Sequence, residues 1–254
     1  MKPCLLILTA WLVAGSAGAD TLCFIGTALS LSDNHTLYTE QYEDIRDETG
    51  KPESTRVRYL TADGSRLADK YLQYGNHPYA PDVTFVNHLT GYQEQLEWQA
   101  DGKVRLSYQE RHRPPHHATL AVTEPVVADA GFNVFLQEHL PQLAAGETLH
   151  FHFLNPARLS WYRFSAQGKP LANGDLEVRI KPESLLLRWL VQPIALQYSR
   201  QDKRLLEYRG QTNISLEGDQ TLQARIEYNY RQKPIPALSR ATAPLQYDHC
   251  DFEG

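Results

Sequence analysis

Along most of the chain, apolar and polar residues alternate with a period of two. Val57 and Tyr59 alternate with Arg56 and Arg58, and Leu96 and Trp98 alternate with Gln95, Glu97 and Gln99. Val104, Leu106 and Tyr108 alternate with Arg105, Ser107 and Gln109. The rhythm returns at Leu176-Val178-Ile180, Ile194-Leu196-Tyr198 and Leu222-Ala224-Ile226-Tyr228-Tyr230. Successive side chains of a strand point to opposite faces, so each run predicts an antiparallel strand covered on one side. Asp63-Gly64, Asp101-Gly102 and Asn173-Gly174 fall between such runs, where tight hairpins need residues tolerant of positive φ. About a dozen strands match this template, which predicts a mainly β protein built on one large antiparallel meander.

One segment departs from the period. Asp129 to Leu143 reads as a helix, with Asp129 as N-cap and an apolar stripe of Phe132, Phe135, Leu136, Leu140 and Leu143. Pro141 is expected to bend or end it, and Gly146 to close the connection into the next strand. A lone amphipathic helix in a meander must bury its stripe on the apolar face of the sheet. The expected architecture is therefore a strongly curved sheet or open barrel wrapped around this one helix. Ser184 to Leu190 fits either a short helix or a doubly buried strand. The stretch from His112 to His117 reads as an exposed loop, and the prolines after Lys233 mark an irregular tail over about 233–254. No repeat or linker interrupts residues 20–254, which are expected to form a single domain.

The N-terminus changes the picture. Lys2, the nine-residue apolar run Leu5 to Val13 and the small residues Ala17-Gly18-Ala19 have the form of a signal peptide over residues 1–19. That run is too short to cross a bilayer, and no later one approaches the roughly 18 residues of a membrane helix, so no transmembrane segment is expected. Leu22 is too bulky to precede a lipidated Cys23, so a soluble product in a bacterial periplasm is the reading. Cys4 leaves with the leader, and only Cys23 and Cys250 remain. An oxidising compartment predicts a bridge between them, pinning the tail to the first strand; two free thiols are the alternative. The formal charge of −5 argues against nucleic acid as a partner.

Pro193-Ile194-Ala195-Leu196-Gln197-Tyr198, followed by Arg204 to Ile214 with its Tyr208-Arg209-Gly210-Gln211-Thr212-Asn213-Ile214, resembles uncharacterised periplasmic β-rich families. Their terminal strands carry a leucine, aromatic, x, glycine, x, Ser/Thr, Asn, Ile segment. The helix, Gly146 and the strand Thr148 to Leu154 are similar too. Those families resemble in turn the lipoprotein-carrier fold, a curved sheet enclosing helices and an apolar cavity. The resemblance covers the second half of the chain and implies a fold; it brings no catalytic motif.

Candidate chemistry is sparse. His150 and His152 share one face of a strand, a geometry able to chelate zinc or copper, and His112, His116 and His117 lie on a loop. Leu149, Phe151 and Phe153 claim the core face, which sends His150 and His152 toward solvent, so no metal ligand is assigned. No Gly-x-Ser-x-Gly elbow surrounds Ser65, Ser107 or Ser160, and no glycine-rich phosphate loop occurs. Glu94 and Glu97 fall on opposite faces of one strand and read as solvated. No catalytic residue and no cofactor is assigned, and an enzyme reading has no support. Fourteen tyrosines and four tryptophans exceed what hairpin pairing demands. Trp98, Tyr108, Trp161, Phe164, Trp189 and Tyr228 are expected on a concave face. With the helix they define a ligand-binding set of Phe132, Phe135, Leu136, Trp98, Tyr108 and Trp161. Three functional readings follow in order: a carrier of a lipid or acyl chain between sheet and helix, a filled-core envelope module with a protein partner, and a metal enzyme using the histidines.

Overall fold

The computed structural model describes residues 20–122, 125–184, 192–216, 221–231, 233–234 and 250–252. Among these residues fifteen strands form one sheet. Antiparallel hairpins lead from β1 (Asp20–Ser30) through β2 (Thr36–Arg46), β3 (Pro52–Thr61), β4 (Arg66–Gln73) and β5 (Asp82–Asn87). They continue through β6 (Gln93–Trp98) and β7 (Val104–Gln109) to the edge strand β8 (His116–Leu120). The chain then crosses to the other edge. β9 (Val126–Ala128) pairs in parallel with β10 (Thr148–Asn155), and a second meander returns through β11 (Ser160–Pro170), β12 (Leu176–Pro182), β13 (Ile194–Tyr198) and β14 (Leu205–Gln211). β15 (Gln223–Asn229) ends that meander and pairs with β1, so the two meanders meet at the middle of the sheet. The predicted hairpin glycines Gly64, Gly102 and Gly174 have φ of +86°, +77° and +91°.

The helical segment lies between β9 and β10 and is divided. α1 (Gly131–Glu138) and α2 (Leu140–Ala144) are separated at His139, and Pro141 sits in the first turn of α2, where its missing N–H costs no helical bond. Phe135, Leu136, Leu140 and Leu143 are buried, as the stripe predicts, and Phe132 packs half-buried against the core. Asp129 is not the N-cap: Ala130 holds that position, and Asp129 lies outside the helix at φ +42°. Its carboxylate is drawn away by a partner distant in sequence, Lys70.

The curved sheet is plugged near both ends of its strands. Where β5 turns into β6, the segment after β14 folds across, burying Ile214 while Asn87 Nδ2 donates to Ser215 O at 2.9 Å. Where β4 leads into β5, the 74–81 loop meets the approach to α1, and Ala128 N donates to Tyr79 O at 2.9 Å. Gly131 is required there, because a Cβ would stand 2.1 Å from Tyr79 O. Between the plugs, Tyr38, Tyr59, Tyr198 and Phe85 are among the largest fully buried side chains. Cys23 and Cys250 are bridged, and β17 (Cys250–Asp251) pairs with β16 (Lys233–Pro234). No helix among the described residues is long and apolar enough to cross a membrane. The leader 1–19, the ambiguous stretch 185–190 with Trp189, and most of the tail lie outside the described residues.

Candidate functional site

The inner face of the first meander carries charge. One row of directly paired positions crosses eight strands: Phe24, Tyr42, Val57, Lys70, Phe85, Glu94, Tyr108 and His116. A neighbouring row runs Tyr228, Gly26, Glu40, Tyr59, Ala68 and Asn87. Lys70 Nζ donates to both oxygens of Asp129 at 2.8 Å and stands over the rings of Phe85 and Tyr59, 5.6 and 5.8 Å from their centroids. A desolvated ammonium gains from such π faces as well as from the carboxylate.

The acids of these rows are held by phenols. Tyr42 OH donates to Glu40 Oε2 at 2.7 Å, and Tyr92 OH donates to Glu94 Oε1 at 2.6 Å. Gly26 leaves the room Glu40 needs, since a Cβ there would lie 2.9 Å from Glu40 Oε2. Burial pushes the Glu40 carboxyl up to about 7, against the opposing pull of Tyr42 and Lys70. Burial raises Glu94 and Asp44 in the same direction; Arg46 and Thr55 hold Asp44 back in part. Glu94 is thus not solvated as expected: it shares the parity of Leu96 and Trp98, and only Glu97 faces water.

The expected ligand-binding set does not converge. Phe135 and Leu136 are buried, with Phe135 ring-to-edge against Phe151 and Tyr79. Tyr108 lies on the inner face between Tyr92 and His116. Trp98 sits at the far end of β6, stacked on His77. Trp161 is not on the concave face. The register of β11 turns Phe164 inward onto Phe151, so Trp161 and Arg163 point outward; Trp161 is 37% exposed and meets His152 edge-on. His150 is exposed on that outer face, its Nδ1 2.5 Å from Glu183 Oε1. Among the described residues no three His, Cys, Asp or Glu side chains are grouped to hold a metal ion.

Two clefts stand out among the described residues. The larger, about 540 Å³, lies between the 74–81 loop and the turn after β6, beside Trp98 and His77. The other, about 410 Å³, lies between the turns around Asn173 and Arg200. Neither is lined by α1 or by the buried acids. Sequence reasoning overlooked Glu40 and Lys70 and read Asp129 only as a cap. The signal of the first two was a charge at an apolar position of the alternation, as in Tyr38-x-Glu40-x-Tyr42 and Ala68-x-Lys70-x-Leu72.

No family model matches the sequence, and no curated protein matches it. Among solved structures, the chain is similar to a β-barrel-like protein of a domain of unknown function, DUF1849, from Brucella abortus. The two share 9% identity over 83% of this chain and 97% of that one, with a TM-score of 0.48.

Proposed function

We propose that this protein is an exported, non-catalytic module of the bacterial cell envelope that acts through the open edge of its sheet on a protein partner. The observation that carries this reading is the filled interior. The space in which a carrier would hold a lipid is taken by Tyr38, Tyr59, Phe85, Leu136 and the Lys70–Asp129 pair. A packed interior leaves no room for an acyl chain unless α1 moves. The Cys23–Cys250 bridge and the leader-like residues 1–19 support an oxidising compartment. Among the described residues the far side of β8 pairs with no strand, and an open edge accepts an added strand.

Native mass spectrometry of protein purified from periplasm without detergent tests the interior. A clean mass that added fatty acid or phospholipid leaves unchanged is expected. A reproducible lipid released by organic solvent would overturn this reading in favour of the apolar-ligand carrier. A photo-crosslinker placed at the exposed Thr119 of β8 should give protein adducts in cells, while one at Arg179 within the second meander should not.

A further inference from the structure

We infer that the cleft beside Trp98 is a binding site for a neutral saccharide, independent of any protein partner. Its floor is a prearranged aromatic platform. The Trp98 indole is fixed by the hydrogen bond from Nε1 to Ala80 O at 2.7 Å, and its backbone N–H donates to Asp82 Oδ1 at 2.8 Å. His77 lies parallel to it, with ring centroids 3.6 Å apart and planes 8° from coplanar. An indole held by its own hydrogen bond and by a stacked neighbour loses little entropy when a ligand packs against it.

The walls define the class of ligand. The side-chain amides of Gln73 and Asn76 make no hydrogen bond to the described residues, and Gln99 Nε2 reaches only Glu97 O, at 3.5 Å. An amide offers both donors and an acceptor, which matches a hydroxyl that is itself donor and acceptor. Among the described residues no lysine or arginine lines the cleft, so a phosphate or carboxylate would enter without a counter-charge from them. Asp82 is the one acid among the described lining residues, and one of its oxygens is already engaged by the Trp98 N–H. Gly75 and Gly102, at φ +45° and +77°, have open space where a Cβ would stand, so a ligand can approach the backbone of both loops. The volume of about 540 Å³ is that of a small-molecule site. An apolar ring next to unengaged, uncharged amides fits a sugar, whose C–H face stacks while its hydroxyls bond.

Residues 20–254 are titrated with maltotriose, cellotriose and chitotriose, following the indole N–H resonance of Trp98 by NMR. At least one trisaccharide should shift that resonance saturably with a Kd of about 1 mM or tighter. His77→Ala, or Asn76→Ala if the first variant misfolds by circular dichroism, should weaken binding about tenfold, the loss of one stacking or hydrogen-bonding partner. No shift with any of the three sugars would overturn the site, as would unchanged affinity in the folded variant. Adenosine shifting the resonance where the sugars do not would overturn the ligand class and leave a base-stacking platform.

Discussion

The two meanders are built alike and filled differently. In the first, β2 to β6 turn Glu40, Asp44, Thr55, Lys70, Asn87 and Glu94 inward. In the second, the inner positions are Phe151, Phe164, Ala166, Val178, Ile180, Leu196 and Ile226. The acids of the first half are held by their own strands and turns, but two of its polar side chains are completed from the second half. Lys70 is met by Asp129, and Asn87 by the backbone of Ser215. Apolar packing is non-directional, whereas a buried ammonium or amide has one satisfactory place for its partner. The apolar half therefore supplies area, and the polar half sets how the plugging segments sit on the sheet.

The comparison can be broken in order of expected effect. Phe151→Ala should cost about 4 kcal/mol, because the cavity lies among Phe135 and Phe164 in a close-packed region. That loss, measured by urea unfolding, should be the same at pH 5 and pH 8. Lys70→Met should cost about 3 kcal/mol by leaving Asp129 without its cation. Adding Asp129→Asn should recover much of it; no recovery would mean the pair is not what joins the halves.

Glu40 sharpens the contrast through pH. Its carboxyl titrates near 7 in the folded protein and at an ordinary value near 4.5 when unfolded. Between these values the folded state keeps a proton that the unfolded state has released. Stability from this group is full below about 4.5, falls as pH rises and is lost above about 7. Glu94 and Asp44 act in the same direction. Glu40→Gln should therefore match the parent at pH 4 and be more stable by about 3 kcal/mol at pH 8, a value tied to the size of the shift. A Gln variant less stable at both ends of that range would assign Glu40 an essential charge instead.

The strands and their turns were legible because alternation and hairpin glycines are local signals, as at Gly64, Gly102 and Gly174. The cysteine pair was legible from chemistry and compartment. The charged rows were not, because a glutamate between Tyr38 and Tyr42 is buried only by virtue of strands far away in sequence. Asp129 shows the same limit: next to a helix it reads as a cap, and only the fold brings Lys70 to it. Trp161 failed for a different reason. Trp161, Tyr162 and Phe164 offer aromatic residues at both parities, so the sequence leaves the inward set of β11 undetermined.

The pairing of β1 with β15 has a consequence for how the chain is made. Ile25 to Ser30 pair with Asn229 to Ala224, which follow them in the chain only after both meanders have been made. Each meander can zip up hairpin by hairpin, but the seam waits for both meanders and carries a larger loop-closure entropy than any hairpin. Until then one side of β1 is an open template for another chain, a hazard that grows with concentration during folding. A circular permutant that joins the present ends and opens between Leu120 and Val126 would turn this late, long-range closure into a local hairpin. Its refolding should be faster and less prone to aggregation than that of the natural order.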